Sequence, residues 1–296
     1  MEFALAVDVG GTKLAAGVVD ECGRLHDRRS VATPPGEALV GPDDVFAAVA
    51  ELVSDLGPFD RFVVCGVGCA GPMSPDGEVV SPLNIPAFRA FPLADRLRRL
   101  TGLPCRVDND AKALALAEGW IGAAVGVTDY LAMVVSTGIG SGIVLEGRLL
   151  DGASGNAGHI GQMVVTDPGR PFPPQVQGTL EAEAAGPAIL RHTGHRPEEA
   201  TTAAVAEAGT LVGRAAGSAA NLLDLKLVLV AGSVALSFGE PFFAAAQAEM
   251  DRVCRLDFSR GARIEPAGCG DEGPLIGAGA VGFRDLGRTI GLIAPR

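Results

Sequence analysis

One plan occurs twice in this chain and constrains its fold more than any other feature: strand, glycine turn, strand, glycine-bearing turn, strand. The first copy opens with the apolar run Phe3–Val9, which ends in Gly10-Gly11-Thr12-Lys13. A second run of strand length, 14–19, follows at once, then the turn Asp20-Glu21-Cys22-Gly23 and a third strand near Arg24-Leu25-His26. The second copy runs from Tyr130–Val135 through Ser136-Thr137-Gly138-Ile139-Gly140-Ser141-Gly142 to Ile143-Val144-Leu145. Glu146-Gly147 then turns the chain into Arg148-Leu149-Leu150. Self-similarity of this kind predicts a duplicated α/β unit, hence two lobes with a cleft between them and a glycine turn of each facing it. Glycine leaves backbone amides open to a phosphate, so such turns can grip one polyphosphate from two sides. A plain hairpin with a capping Asp8 explains the first turn equally well. Gly10-Gly11-Thr12-Lys13 is not a P-loop, which needs a longer glycine loop ahead of a helix.

Between and after the copies the pattern is α/β. Pro34-Pro35-Gly36 reads as a linker and 43–56 as an amphipathic helix, with Val45, Val49, Leu52, Val53 and Leu56 at helical spacing. A buried strand at 62–67 ends in Gly68-Cys69-Ala70-Gly71-Pro72; an irregular loop, Ser81-Pro82-Leu83-Asn84-Ile85-Pro86, precedes a short helix at 93–100. Asp108-Asn109-Asp110 then stands where a strand gives way to an Ala- and Leu-rich helix, the position at which open α/β sheets place ligand chemistry. Helix capping alone also accounts for such residues. Residues 151–162 form a glycine-rich loop presenting His159 and Gln162 three residues apart, followed by a proline-rich excursion at 167–174. Leu180-Glu181-Ala182-Glu183 opens a helix, 201–224 is a long Ala-rich helix, and 225–230 is a buried strand ending in Ala231-Gly232-Ser233. A helix at 241–253 follows, and the small residues of 273–280 suit a helix packed tightly against its neighbours.

With 296 residues, 48% of them apolar and 20% charged, the chain can bury a substantial core. Its net charge of -11 argues against a nucleic-acid surface, which needs a concentrated basic patch. Cys22, Cys65, Cys69, Cys105, Cys254 and Cys269 lie scattered in or beside apolar segments, without a paired CxxC, as reduced thiols of a cytoplasmic protein do. The first residues lack a basic leader and reach an acid early, and no run of about 20 uncharged apolar residues predicts a membrane span.

In order along the chain, Asp8-Val9-Gly10-Gly11-Thr12-Lys13, Asn84, Asp108-Asn109-Asp110-Ala111, 136–142, Ala157-Gly158-His159-Ile160-Gly161-Gln162, Leu180-Glu181-Ala182 and Ala231-Gly232-Ser233 resemble the ROK family (repressor, open reading frame, kinase) of the sugar-kinase/Hsp70/actin superfamily. The resemblance implies a two-lobed actin-like ATPase (ribonuclease H-like) fold with an interlobe active-site cleft. It places one α/β lobe at 1–112, the other at 113–283, and returns about 284–296 to the first. It further implies phosphorylation of a sugar hydroxyl by ATP with Mg²⁺, and a homodimer. Asp110 would match the general base, since a carboxylate can take the proton that leaves as the oxygen–phosphorus bond forms. Asn84, Asn109, Asp110, His159, Gln162 and Glu181 would match sugar partners. Gly10, Gly11, Thr12, Lys13, Thr137, Gly138, Gly140, Gly232 and Ser233 would hold ATP, and Asp8 magnesium through water.

Two departures from the family pattern stand out. Where the family usually reads Gly-Glu-Ile-Gly-His, this chain has Gly158-His159-Ile160-Gly161-Gln162. The family's histidine there usually ligates zinc with three cysteines of a nearby loop; here that loop, Phe172-Pro173-Pro174-Gln175-Val176-Gln177-Gly178-Thr179, has none, so no zinc site is expected. Prolines can replace the lost staple by lowering the loop's unfolded-state entropy. The changed pair predicts an acceptor other than plain glucose: an amino hexose of the kanosamine type, or a cyclitol. The alternatives are a glucokinase with a relaxed sugar site and a catalytically silent sugar-binding protein. A DNA-binding repressor ranks lower, because the first glycine turn begins at Gly10 and leaves no room for a helix-turn-helix ahead of it.

Overall fold

Alternating large and small apolar residues decide what covers each face of the first sheet. Its strands are β1 (Phe3–Val9), β2 (Lys13–Asp20), β3 (Leu25–Ala32), β4 (Val64–Cys69) and β5 (Cys105–Asn109), in the order β3-β2-β1-β4-β5. β2 runs antiparallel to β1 and β3, while β4 is parallel to both β1 and β5. Leu5, Val7 and Val9 of β1 project to one face and pack with apolar residues of α1 (Pro42–Ser54) and α2 (Leu93–Thr101). Ala6 projects to the other, where α3 (Asp110–Trp120) and the late helix α9 (Gly273–Asp285) lie against backbone. A Cβ on Gly66 would come within 2.0 Å of the Ala278 carbonyl oxygen, and one on Gly277 within 2.3 Å of that of Ala113. Small residues on this face therefore let two helices approach almost to backbone contact.

The second sheet has the order β10-β9-β6-β7-β8, from β6 (Tyr130–Val135), β7 (Ile139–Leu145), the two-residue β8 (Arg148–Leu149), β9 (Leu227–Ala231) and β10 (Arg263–Pro266). β6 and β7 form an antiparallel hairpin and β9 lies parallel to β6, repeating the β2-β1-β4 arrangement of the first sheet. The helices are α4 (Leu180–Ala184), α5 (Gly186–Thr193), α6 (Thr202–Leu223), α7 (Ser233–Phe238) and α8 (Glu240–Val253). Gly209 and Gly213 face α8 so closely that a Cβ would lie 2.4 Å and 2.1 Å from the carbonyl oxygens of Phe242 and Ala246. The duplicated plan predicted from the sequence is thus the architecture of the two sheets.

The computed structural model describes residues 1–34, 41–167, 169–170 and 176–296. Most of the linker Pro34-Pro35-Gly36 and residues 172–175 of the cysteine-free loop lie outside them. The described residues divide into two compact units: Met1–Val127 with Gly147–Ala157 and Gly268–Arg296, and Thr128–Glu146 with Gly158–Ala267. The first unit runs past the boundary expected at Lys112, because α3 packs on α9, and its C-terminal share begins at Gly268 rather than near residue 284. β4 ends two residues later than the expected 62–67, since Cys69 stays paired with Val9 and Asn109. The turn expected at 136–142 is shorter: β7 begins at Ile139, and Gly140 is a strand residue opposite Val134. No helix among the described residues is long and apolar enough to cross a membrane.

Candidate active site

In the first unit, the candidate residues gather at the C-terminal ends of parallel strands. Asp8, Gly68 and Asp108 lie side by side on β1, β4 and β5. Asn109 then caps α3, its Oδ1 accepting the N–H groups of Ala111 (3.0 Å) and Lys112 (3.4 Å), and Asp110 is the first residue of the helix. Asn109 was expected to bind sugar; capping occupies its oxygen and leaves only its Nδ2 amide for a ligand. Asp110 Oδ1 accepts the Ala111 N–H at 2.8 Å. Gly68 lies beside both residues: a Cβ there would lie 3.7 Å from the Asp8 Oδ1 and from the Asp110 Cα. Burial, and then the negative charge of Asp110, push the Asp8 carboxyl up to about 7 against the opposing pull of the Lys13 ammonium.

The first glycine turn needs glycine for room rather than for a left-handed backbone. A Cβ on Gly10 would sit 2.9 Å from the Lys13 carbonyl oxygen, and one on Gly11 2.9 Å from the Asn84 side chain. Thr33, which the sequence reading did not single out, braces this turn by donating from Oγ1 to the Gly10 carbonyl at 2.6 Å. Asn84 Oδ1 is buried and accepts no hydrogen bond among the described residues. With Gly11, Thr33, Val45 and Ile85 it borders a cavity of about 50 Å³. An acceptor left this way costs about 1–3 kcal/mol, which a ligand hydroxyl would recover.

The second unit holds the remaining candidates. Ser136 N–H bonds the Gly138 carbonyl at 3.0 Å, the Ser136 carbonyl accepts from Gly186 N–H at 2.9 Å, and its hydroxyl lies 2.9 Å from that of Ser233. Gly232 has φ +102° and would drive a Cβ to 2.3 Å from the Val135 carbonyl oxygen. Thr137 and Ser233 are exposed. Glu181 is held from two sides: its Oε2 accepts the Ile139 N–H at 2.8 Å, and its Oε1 lies 3.4 Å from the Gln162 Nε2 donor. A Cβ on Gly138 would approach Glu181 Oε2 to 3.1 Å, so the second glycine turn leaves room for this carboxylate. His159 is exposed and follows Gly158 (φ +103°), whose carbonyl accepts the backbone N–H and the hydroxyl of Ser141 at 2.7 and 2.9 Å.

A hard divalent cation fits the first group. Asp8 is an oxygen donor whose charge is disfavoured by burial and by a neighbouring carboxylate, the penalty that a cation relieves. Magnesium is commonly held by one or two carboxylates plus substrate phosphates, so Asp8 need not belong to a larger protein cage.

The profile of the ROK family matches residues 4–282. An N-acetylmannosamine kinase of Yersinia pseudotuberculosis serotype O:1b (strain IP 31758) is 34% identical over 258 residues, 81% of this chain and 86% of that protein. The crystal structure of a ROK hexokinase from Thermus thermophilus superposes with a TM-score of 0.80 at 32% identity, covering 96% of this chain and 99% of that one. A ROK family glucokinase from Streptomyces griseus, in complex with glucose and AMPPNP, gives 0.81 at 29% identity over 95% and 99%.

Proposed function

The chain belongs to the ROK family, with its two-lobed actin-like fold, and on that footing we propose that it transfers the γ-phosphate of ATP to the primary 6-hydroxyl of a hexose or modified hexose. The observation that carries this reading is the pair Asp8 and Asp110 at the strand ends beside a glycine turn and the unsatisfied Asn84 Oδ1. Asp110 acts as general base and takes the proton of the attacking hydroxyl. Asn84 and the Asn109 amide hold the sugar in the first unit; His159, Gln162 and Glu181 do so in the second. Gly10, Gly11, Thr12, Lys13, Thr137, Gly138, Gly140, Gly232 and Ser233 line the path of the nucleotide. Asp8 would hold Mg²⁺ through water, and the bound ion would neutralise charge on the phosphates. The enzyme works as a homodimer in the cytoplasm, where ATP is available; sedimentation of the purified protein tests the dimer.

The acceptor is read from the changed pair. Gln162 offers Glu181 a neutral amide, and His159 offers the ring an imidazole where a carboxylate is usual. A site that presents different donors and acceptors favours a ring with different substituents, because a mismatched buried polar group costs about 1–3 kcal/mol. An amino hexose of the kanosamine type or a cyclitol fits this change better than glucose. The second reading, a glucokinase with a relaxed sugar site, is favoured by the Glu181 carboxylate, which remains anchored on Ile139. The test is ADP release with Mg-ATP across glucose, 2-amino- and 3-amino-glucose, mannose derivatives including N-acetylmannosamine, and cyclitols. The altered-acceptor reading expects a modified ring to give the highest kcat/KM. Glucose ahead by tenfold would establish the relaxed glucokinase instead, and no ADP release with any acceptor would leave a silent sugar-binding protein.

A further inference from the structure

Lys112 lies two residues beyond Asp110 in α3, and its side chain is only 1% exposed. Buried ammonium groups are rare unless paired, and this one has three oxygens in reach. They belong to Asp108 Oδ1 (3.0 Å), Asp151 Oδ1 (2.6 Å) and the Gly155 carbonyl (3.3 Å). Arg296 approaches Asp108 Oδ2 at 3.5 Å and Arg284 approaches Asp151 Oδ2 at 3.9 Å, so each of the two carboxylates faces a second cation besides Lys112.

The cluster joins two pieces of backbone. The Asp108–Lys112 pair spans the turn that carries Asp110, and within that turn Asp108 Oδ1 also accepts the Asn109 N–H at 2.8 Å. Asp151 and Gly155 belong to the loop 151–157, whose Asn156 side chain both accepts from and donates to the Met73 backbone (3.1 and 3.0 Å). That loop leads directly into Gly158-His159. We propose that Lys112 is a positioning residue: its ammonium holds the Asp110 turn and the root of the His159 loop in one fixed arrangement. This inference rests on Asp110 being the base of the proposed kinase.

Removing Lys112 would leave the buried Asp108 with only the more distant Arg296 and endanger the fold, so the test is placed on the partly exposed Asp151. Asp151→Asn keeps the shape of the side chain and leaves Lys112 its other two oxygens. The expected result is a fall in kcat of about tenfold with KM for ATP within about twofold, as misplacement of a base produces. Asp151→Glu, which keeps the charge, should recover most of that loss. Hydrogen exchange on the same proteins reads the coupling without any turnover. Amides of 109–112 and of 152–157 should both exchange faster in Asp151→Asn and return toward wild type in Asp151→Glu. Faster exchange confined to 152–157, or an unchanged kcat in Asp151→Asn, would overturn the proposal. Absence of sugar-dependent ADP release from the wild type would instead refute the kinase reading, and the exchange data would still decide whether Lys112 couples the two segments.

Discussion

At the scale of single residues, the two carboxylates make opposite demands on the protein. Asp110→Asn preserves the bond from Ala111 N–H, because the amide oxygen accepts as the carboxylate does, so the variant should fold and bind ATP normally. It cannot take a proton, and kcat should fall by about 100- to 10,000-fold in a coupled assay. Calorimetry should show retained ATP binding, and near-full turnover would exclude Asp110 as the base. Asp8 gives a pH signature. Its carboxyl is raised from 3.8 to about 7, so in the ligand-free state the folded form holds a proton that the unfolded chain releases. The stability this contributes is complete below pH 3.8 and is lost as pH rises through about 7. Asp8→Asn removes the dependence, so it should gain on the wild type between pH 5 and pH 8, measured by urea midpoints without nucleotide or metal. An equal gap at both values would refute the assignment. The sequence offered Asn109 as cap and as ligand; the structure uses its oxygen for the first.

Among elements, close approach of helix and strand is the recurring device. Gly66 allows α9 to lie on β4 with the Ala278 carbonyl where a Cβ would stand, and Gly213 does the same between α6 and α8. Gly66→Ala should therefore cost about 1–3 kcal/mol through overpacking, seen as a lower urea midpoint with unchanged slope. An unchanged midpoint would mean that α9 can retreat without loss. Elements with strong apolar periodicity were legible: β1 and β6 occupy the predicted residues, and α6 and α8 fall within a residue or so of their expected ends. β10 was not, since only Ile264 of its four residues is buried and no pattern can form. Nor was the start of β7, where Gly140 and Gly142 read as turn although strand pairing holds them extended.

For the whole molecule, the chain's last segment completes its first unit. α9 covers the small-residue face of β1 and β4, and Glu118, fully buried, accepts the N–H groups of Ala123, Gly268 and Cys269 at 2.8–2.9 Å. A chain ending at Ala267 should therefore lose cooperative unfolding and bind a hydrophobic dye, because it exposes Ala6, Ala15 and Val19 and strands a buried carboxylate. A sharp two-state transition in that truncation would show the segment to be dispensable. The sequence by itself determined what is local: the first glycine turn, the alternation that assigns each face of a strand, the cap ahead of α3 and the duplicated plan. These follow from dihedral preference and from which side chains avoid water, and both are written within a few neighbouring residues. Tertiary structure alone decided which distant atoms meet: Gly11 with Asn84, Gln162 with Glu181 across 19 residues, and Lys112 with Asp151 across 39. Those contacts depend on distances of about 3 Å between separately formed elements, and such distances are set by how the helices and sheets pack rather than by any pattern along the chain.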